Sequence, residues 1–411
     1  MRDSATLKLA IEKTLVQPLE KISVVELVDL LVEYAYVARA SDIHIHPEED
    51  TVRIRMRVDG LLHDLFEKIN LRKEVHQEII SRIKVLSGLR TDEHLMPQDG
   101  RFKVKIKDFG AVDVRVSIMP TYAGENAILR VLASTQNFTL DDLGFAIEDL
   151  KKVGKAVEKP YGMILANGPT GSGKTTTLYT ILKRLNRPEA SIITIEDPIE
   201  YSLVGTTQVQ ISEHTGLTFA SGLRSILRQD PNIIMVGEIR DQETAGIAVN
   251  AALTGHLVLS TLHTNDAATT FPRLLDMGVP PFLVASTMNI AIGQRLVRKL
   301  CDKCTVKRVL SASEVKSVAE ILPDIKGVAR TFYEGKGCGA CGKTGYQGRI
   351  GVREVIEVNE EIRTLVMNRA NAGQIKEAAI RGGMTTMLKD GLEKAANGLT
   401  SIEEVLRIIH E

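Results

Sequence analysis

A glycine-rich stretch near the middle of the chain constrains its fold most strongly. Residues 168–175 read GPTGSGKT and fit the pattern G-x-x-x-x-G-K-[ST]. They lie between an apolar run, Met163–Ala166, and a helical pattern that begins near Lys174. In this order, strand, loop and helix let backbone N–H groups and the helix N-terminus face phosphate oxygens. The stretch therefore predicts a phosphate-binding loop within an α/β fold.

The predicted nucleotide contacts come from this loop and the first turn of its helix. Lys174 is expected to reach the β- and γ-phosphates, and the Thr175 hydroxyl is expected to bind Mg²⁺. The alternative, a glycine-rich turn without function, is disfavoured by the strand and helix on either side. The predicted binding residues are Gly168, Pro169, Thr170, Gly171, Ser172, Gly173, Lys174, Thr175 and Thr176.

Short apolar runs recur along this part of the chain and predict the rest of the sheet. In order they are Met163–Ala166, Ile192–Ile195, Ile233–Val236 and Leu257–Leu259, with helical patterns between them. Strands that are apolar throughout and alternate with helices are typical of a parallel sheet covered on both faces. The fold class expected from the residues is α/β.

Acidic residues follow two of these runs and are candidates for catalysis. Glu238 comes just after the third run, whereas Glu196, Asp197 and Glu200 follow the second. Ligand sites of open α/β sheets lie at the carboxyl ends of the strands, so Glu238 can polarise a water in line with the γ-phosphate. The second group is expected to hold metal-bound waters. Acids on the protein surface are the alternative for both groups.

Two histidines, His256 and His263, flank the fourth run. His263 is expected either to sense the γ-phosphate or to hydrogen-bond to Glu238. A lone histidine is more often structural, and for His256 that interpretation stays open beside a functional one.

The chain before residue 134 has a different pattern, which predicts a compact α+β domain. A helix is expected at about Val24–Ala40, with Ser23 as its N-cap and Glu26 completing a capping box. Short alternating strands and a second helix follow. The predicted organisation is an α+β domain at 1–133, a linker at 134–145, the sheet core at 146–296, a cysteine module at 297–350 and a helical segment at 351–411.

One predicted strand of the first domain, VRIRMRV at 52–58, alternates apolar residues with arginines. A period of two places Arg53, Arg55 and Arg57 on one face of a sheet. Like charges on one face repel each other unless something anionic lies near them. A nucleic acid, a nucleotide, acidic side chains and water are the candidates.

All four cysteines lie between residues 301 and 341, as Cys301-x-x-Cys304 and Cys338-x-x-Cys341. Two such pairs supply the four tetrahedral sulfur ligands of a structural Zn²⁺ ion. A cytosolic setting favours metal binding over disulfides. Unrelated free thiols are the alternative. The insert is expected to be helical at Ser311–Leu322.

The composition excludes several classes of protein. Lys+Arg and Asp+Glu number 52 each, so the chain lacks the basic excess that non-specific binding to nucleic acid requires. Aromatic residues make up 4% and there is no tryptophan, which disfavours base stacking. There is no signal peptide at Met1 and no apolar run of about 18 residues, so a cytosolic chain that does not span a membrane is expected.

Eight stretches in a fixed order carry a family resemblance: SDIHIHP (41–47), MPQDGRF (96–102), GPTGSGKTTTLY (168–179), EDPIE (196–200), LRQDPNIIMVGEIRD (227–241), TLHTNDA (261–267), GQRLVRKLC (293–301) and CGKTGYQGR (341–349). From about residue 20 to the C-terminus the chain resembles the hexameric secretion ATPases of the PilB/GspE type. This family powers type IV pilus assembly and type II secretion. The tetracysteine module argues against the pilus-retraction branch, which lacks it.

The resemblance implies a RecA-like P-loop NTPase core, a PAS-like N-terminal domain and a cytoplasmic homohexamer peripheral to the inner membrane. ATP, Mg²⁺ and structural Zn²⁺ are the implied cofactors. An inner-membrane platform protein is the implied partner, and no nucleic acid is expected. By motif match, Lys174 and Thr175 are Walker A residues, Glu238 is the Walker B glutamate, Glu196 belongs to the Asp box and His263 to the His box.

The resemblance also assigns a role to arginines of the N-terminal domain. The family uses such arginines to contact the nucleotide's phosphates, and they match Arg101 and Arg115. This match moves the phosphate-facing role away from Arg53, Arg55 and Arg57. For these three, an interface or an acid-paired sheet face is preferred over a solvated face or direct nucleotide contact.

Two departures from the family pattern accompany the match. Asn126 stands where members usually have lysine, and it is assigned no role. Members usually carry a further N-terminal docking domain, and this chain is expected to begin too late to contain it. A shortened chain and a short relative are the two interpretations.

Two rival functions share the same core. A nucleic-acid translocase or helicase predicts DNA-stimulated ATP hydrolysis. A non-hydrolysing scaffold gated by nucleotide predicts that Glu238→Gln leaves turnover unchanged. The residues do not separate pilus, secretion and competence systems.

Overall fold

The computed structural model describes residues 3–66, 71–132, 138–212, 215–311, 314–316, 318 and 331–410. The chain forms two compact units, Met1–Gln136 and Asn137–Glu411. No helix in the described ranges combines the length and the apolar character needed to cross a membrane.

The first unit is an antiparallel sheet packed against helices, which confirms the α+β class predicted for this part of the chain. Its helices are α1 (Ser4–Leu15), α2 (Val24–Val37) and α3 (Lys73–Ser87), with a 3₁₀ turn at Leu19–Lys21. Its strands are β1 (Ala40–Pro47), β2 (Val52–Val58), β3 (Leu61–Asp64), β4 (Gln98–Ile106), β5 (Gly110–Thr121) and β6 (Gly124–Leu132). They lie in the order β3-β2-β1-β6-β5-β4.

Local signals set both ends of α2. The hydroxyl group of Ser23 accepts a hydrogen bond from the backbone N–H of Glu26 at 3.4 Å, as the capping pattern predicted. The helix ends at Val37 and not at Ala40, because Arg39 adopts a φ of 58° and turns the chain into β1. The helices and one face of the sheet share a single apolar core, to which Leu27 and Ile43 belong.

The second unit contains the remaining elements. Its helices are α4 (Ile147–Val157), α5 (Lys174–Leu185), α6 (Phe219–Ile226), α7 (Gln242–Leu253), α8 (Thr270–Asp276), α9 (Pro281–Thr287), α10 (Glu360–Met367), α11 (Ala372–Arg381), α12 (Met387–Ala396) and α13 (Ile402–His410). Its strands are β7 (Gly162–Asn167), β8 (Ile192–Glu196), β9 (Thr207–Gln210), β10 (Ile233–Val236), β11 (Leu257–Leu262), β12 (Met288–Leu300), β13 (Thr305–Val309), β14 (Thr331–Gly335) and β15 (Tyr346–Glu357). A 3₁₀ turn lies at Gly339–Cys341.

The main sheet of this unit has the order β15-β12-β7-β11-β10-β8-β9. The strands from β12 to β9 run parallel to one another, which confirms the predicted α/β core. The apolar runs did not predict β9, β12 or the edge strand β15, which is antiparallel to β12. The predicted boundaries at 296/297 and 350/351 fall inside β12 and β15, so they do not coincide with breaks between elements.

Helices cover both faces of this sheet, as predicted. One apolar core includes Phe219 of α6 and Phe271 of α8, and the core on the other face includes Val153 of α4 and Leu178 of α5. Leu140 and Leu143 are also buried in the second core, at 4% and 7% exposure. Residues 138–145 therefore pack as part of the second unit and are not a free linker. The rest of the predicted linker, residues 134–137, lies outside the described residues.

The cysteine module contains a two-stranded antiparallel sheet of β13 and β14. Most of the helix predicted at Ser311–Leu322 lies outside the described residues. Helices α10 to α13 follow β15, in agreement with the prediction of a helical C-terminal segment.

Candidate nucleotide-binding and hydrolysis site

The parallel register brings four predicted site segments to one edge of the sheet. Asn167 at the end of β7 pairs with Leu262 at the end of β11. Val236 at the end of β10 pairs with Ser260 of β11 and Ile195 of β8. The carboxyl ends of these four strands therefore lie at the same edge of the sheet, which is where ligand sites of open α/β sheets lie.

The glycine loop lies between β7 and α5 and requires glycine at its first position. Gly168 has a φ of 144°, and a Cβ atom there would lie 2.3 Å from the carbonyl oxygen of Gln294. Lys174, the first residue of α5, is 9% exposed. Its Nζ donates to the carbonyl oxygens of Gly168 at 2.8 Å and Pro169 at 3.1 Å. The ammonium group thus lies against the loop whose phosphate ligand it is predicted to bind.

The charge of Lys174 is sensitive to its surroundings. Burial lowers the pKa of its ammonium group, and the negative charge of Glu238 opposes that shift. A phosphate beside Nζ would favour the charged form further. Thr175 and Thr176 occupy the first turn of α5, where backbone N–H groups have no partner within the helix. The loop and turn therefore fit an anionic ligand.

Glu238 follows β10 and is held by two partners. One carboxylate oxygen accepts a hydrogen bond from the guanidinium of Arg240 at 2.5 Å, and the other lies 2.9 Å from Nε2 of His263. The predicted hydrogen bond between His263 and Glu238 is therefore present. No sequence pattern assigned a role to Arg240, although its position two residues after Glu238 is the signal that could have found it.

These partners set the protonation of Glu238. Burial raises its pKa, but the hydrogen bonds and positive charge of Arg240, together with His263, outweigh burial and leave the pKa below the ordinary value. The carboxylate is consequently ionised at neutral pH, as a group that orients or deprotonates water must be.

Glu196, at the end of β8, is buried and its oxygens already have donors. It accepts hydrogen bonds from the hydroxyl group of Tyr179, from Thr194 at 2.5 Å and from Gln208 at 3.2 Å. Tyr179 lies on α5, so this carboxylate ties the helix of the glycine loop to β8. Burial and the charge of Glu196 raise the pKa of Tyr179. This geometry suits a positioning group better than the predicted holder of metal-bound waters.

His256 has a structural partner. Its Nδ1 lies 3.0 Å from the carbonyl oxygen of Ala251, near the end of α7. The hydrogen bond fixes the turn that leads from α7 into β11, which supports the structural interpretation of this histidine.

In the first unit, five residues form consecutive cross-strand pairs that we call the arginine row. Arg101 pairs with Arg115, Arg115 with Arg130, Arg130 with Asp42 and Asp42 with Arg57. Residues directly opposite each other share a face, and the residues that follow them in sequence point into the core. The row is therefore on the face of the sheet that lacks the core.

A single carboxylate balances one end of the arginine row. Asp42 accepts a hydrogen bond from Nε of Arg130 at 3.0 Å, and Nε of Arg57 lies 3.6 Å from its other oxygen. Arg115 and Arg130 still lie directly opposite each other, with Arg101 next in line. Arg101, Arg115 and Arg130 are therefore neighbours on three adjacent strands.

Two of the three arginines of β2, Arg53 and Arg57, have acidic partners, in agreement with the preferred acid-paired face. Arg53 donates to both oxygens of Asp64, at 2.8–3.2 Å, and Arg57 contacts Asp42. Arg55 lies opposite His44, and within the described residues its buried Nε has no hydrogen-bond partner.

The four cysteine sulfurs converge on one point. They lie within 4.8 Å of one another, and the pairs Cys301–Cys338 and Cys304–Cys341 are 3.9 Å and 3.8 Å apart. Four sulfurs at the Zn–S distance of about 2.3 Å are separated by about 3.8 Å in a tetrahedron. The sulfurs therefore fit Zn²⁺, with no position left for a substrate.

The backbone around the sulfurs is built for this cluster. The N–H groups of Cys338 and Gly345 donate to Sγ of Cys341 at 3.2 Å and 3.3 Å. Burial raises the pKa of the Cys341 thiol, but these donors outweigh it and lower the pKa to about 6. A Cβ at Gly335 would lie 2.1 Å from the carbonyl oxygen of Gly345, so glycine is required where the two segments cross.

The chain is similar to known proteins over most of its length. A family model described as type II/IV secretion system protein matches residues 18–407. The type IV pilus assembly ATPase PilB of Myxococcus xanthus is 46% identical over 385 residues, which cover 93% of this chain and 67% of that protein. Type II secretion system protein E of Xanthomonas campestris is 46% identical over 391 residues, covering 94% of this chain and 68% of that protein.

A solved structure has a similar fold. The ATPase DotB of Legionella pneumophila has a TM-score of 0.71 to this chain at 22% identity. The match covers 96% of this chain and 98% of that one. This likeness confirms the fold class.

The cysteine cluster predicts one zinc ion per chain. We expect elemental analysis of the purified wild-type protein to find about one zinc per chain and its four thiols to resist a thiol reagent until a chelator is added. Cys341→Ser is expected to lose most of the zinc, because three sulfurs do not close the tetrahedron. Four freely reactive thiols in metal-free, folded wild-type protein would contradict the site.

The contacts of Glu238 predict a shift in pH dependence. Arg240→Gln removes the largest influence that lowers the Glu238 pKa, so burial should dominate and raise that pKa. The acid limb of the kcat profile should then move to higher pH, measured at saturating ATP from about pH 5 to about pH 9. Arg224→Gln is the matched control, because Arg224 pairs with Glu243 on the surface. An unmoved acid limb in Arg240→Gln would refute the assignment.

Proposed function

The chain belongs to the type II/IV secretion system protein family, whose members include pilus-assembly and type II secretion ATPases, and on this premise we propose a specific role for it. It is a cytoplasmic motor ATPase that hydrolyses ATP with Mg²⁺ as a homohexamer peripheral to the inner membrane. Hydrolysis acts through an inner-membrane platform protein to power pilus assembly or type II secretion. The relatives of equal identity carry both names, so the proposal covers both cargo classes.

One observation carries the proposal: an ionised carboxylate and the glycine loop lie at the same edge of one sheet. Glu238 orients and deprotonates the attacking water, and His263, 2.9 Å away, fixes the direction of that carboxylate. Lys174 exchanges its bonds to loop carbonyls for bonds to phosphate oxygens. Mg²⁺, held by the Thr175 hydroxyl and the nucleotide, would neutralise charge on the phosphates.

Glu196 acts in this proposal through position. Its contact with Tyr179 fixes α5 relative to β8, and α5 carries Lys174 and Thr175 at its N-terminus. A shift of this helix would displace every N–H group that faces the phosphates. Such a residue supports catalysis without touching the reacting atoms.

In this proposal Arg101 and Arg115 of the arginine row supply positive charge to the phosphates. Arg101 and Arg115 are assigned this role from the family match, and their pairing on β4 and β5, which places two guanidinium-bearing residues directly opposite each other, supports it. Guanidinium groups bind phosphate oxygens in a bidentate manner and stabilise the charge that develops as the terminal phosphate leaves. Zn²⁺ in the cysteine cluster has a structural role.

The test compares Arg101→Ala with Arg53→Ala, an arginine of the same sheet that pairs with Asp64. Arg101→Ala should lower kcat at least about a hundredfold while the oligomer stays intact and ATP still binds, because the charge acts mainly on the transition state. Arg53→Ala should keep the wild-type kcat. The measurement is ATP turnover, made on protein whose oligomeric state has been determined by light scattering.

Two outcomes would refute the proposal. Full activity in Arg101→Ala would remove the arginine role. ATP hydrolysis that depends on added DNA, with none in its absence, would favour the nucleic-acid translocase over the secretion motor.

A further inference from the structure

Gln294 lies beside the glycine loop, on a strand that holds none of the predicted nucleotide or hydrolysis residues. β12 pairs with β7 as far as Gly293 and Asn167. At that point β7 ends and its chain turns into the loop, whereas β12 continues. Gln294 is therefore the first residue of β12 to have the loop, and not β7, as its neighbour on that side. Its side chain is fully buried, at 0% exposure.

The carboxamide of Gln294 bridges two parts of the site. Its Nε2 donates to the carbonyl oxygen of Ser172 in the loop at 2.8 Å. Its Oε1 accepts a hydrogen bond from the hydroxyl group of Thr177 in α5, also at 2.8 Å. A carbonyl oxygen can only accept, so the amide must direct its nitrogen at Ser172 and its oxygen at Thr177. Both ends of the amide are thus assigned without ambiguity.

The contact extends along the whole loop. The carbonyl oxygen of Gln294 would lie 2.3 Å from a Cβ on Gly168, and Nε2 would lie 3.4 Å from a Cβ on Gly173. The first and last glycines of the loop are therefore both packed against this one residue. Its backbone and its side chain together form the wall on which the loop rests.

Peptide geometry turns this contact into a functional one. In a trans peptide, the carbonyl of one residue and the N–H of the next point in opposite directions. A carbonyl of Ser172 that is held toward Gln294 directs the N–H of Gly173 to the other side of the loop. Gly173 is the residue directly before α5, so its N–H is then available beside the free N–H groups of the first turn, and phosphate binds at such a helix N-terminus.

We propose that Gln294 is a positioning residue for nucleotide binding, which orients the Ser172–Gly173 peptide so that its N–H meets a phosphate oxygen. This inference rests on the proposed function, because it names the group that shapes the same site for its ligand. The bond to Thr177 holds the carboxamide in its orientation and ties it to the first turns of α5. Gln294 itself does not touch the nucleotide.

Glutamine is specifically suited to this position. A methionine would fill a similar volume but would leave the Ser172 carbonyl and the Thr177 hydroxyl buried without a partner. A glutamate would keep the shape but place an acceptor against the Ser172 carbonyl, which would repel it. The proposal therefore predicts that Gln294→Glu harms binding at least as much as Gln294→Met.

The experiment measures the affinity of the full chain for a non-hydrolysable ATP analogue by calorimetry, together with Tm and ATP turnover. We expect Gln294→Met to weaken binding about tenfold, the loss expected from one misdirected hydrogen bond to a charged group. Thr177→Val keeps the bond to Ser172 and should weaken binding about threefold at most. Gln294→Glu serves as a second variant of native size if Gln294→Met does not fold.

The matched control is Asn289→Leu, on the same strand. Asn289 is a buried amide whose Nδ2 donates to the carbonyl oxygen of Tyr161 at 2.9 Å, at the end of β12 away from the loop. It should lower Tm as Gln294→Met does but leave the affinity unchanged. Wild-type affinity in Gln294→Met, or an equal loss of affinity in Asn289→Leu, would overturn the inference. If the wild-type chain binds the analogue but does not hydrolyse ATP, the proposed function is refuted and this inference is not. The inference depends only on the affinity of Gln294→Met relative to that of the wild type.

Discussion

The parallel register of β7, β11 and β10 is the constraint on which the hydrolysis site depends. The three strands are buried on both faces, and β11 joins the strand of the glycine loop to the strand that carries Glu238. A slip of one residue in this pairing would turn each following side chain to the other face of the sheet. Glu238 would then lose His263, and the carboxylate would no longer be held toward the edge where the loop lies.

β12 extends the same frame beyond the loop. It runs past the end of β7, carries Gln294 against the loop and reaches Leu300, directly before Cys301. β15 pairs with it along this length and begins just after the second cysteine pair. The N–H of Cys301 donates to the carbonyl of Gly345 at 3.0 Å, which closes the far end of this ribbon. The cysteine cluster thus stabilises the strand that supports the nucleotide loop, consistent with a structural metal.

The sequence was most informative where a local pattern is sufficient. Continuous apolar runs identified four buried strands, β7, β8, β10 and β11, and the glycine pattern identified the loop, because both depend on residues that are neighbours in the chain. β15 escaped prediction because its glycines and arginines do not form an apolar run. Gln294 was missed because it acquires its role from non-local contacts, to Ser172 and Thr177, that no spacing encodes. Arg240 lies only two residues after Glu238, so its position was a local signal that had not been used.

The arginine row shows the same limit on a larger scale. Alternation placed Arg53, Arg55 and Arg57 on one face, but only the pairing of β2, β1, β6, β5 and β4 shows that Arg57 shares a row with Arg101 and Arg115. The same pairing places the buried Asp42 between Arg57 and Arg130. From sequence, β2 therefore resembled a separate basic surface. In the structure its Arg57 lies beside Asp42 at one end of the row, and Arg101 and Arg115, which are assigned the phosphate contacts, lie at the other end.

The central claim is that the carboxylate of Glu238 drives ATP hydrolysis at the edge shared with the glycine loop. Glu238→Gln tests it most directly, because glutamine keeps the size of the side chain and can still bond to Arg240 and His263 but cannot take a proton. We expect kcat to fall at least about a hundredfold while ATP affinity and the oligomer are retained. A Glu238→Gln protein that hydrolyses ATP at the wild-type rate would contradict the account.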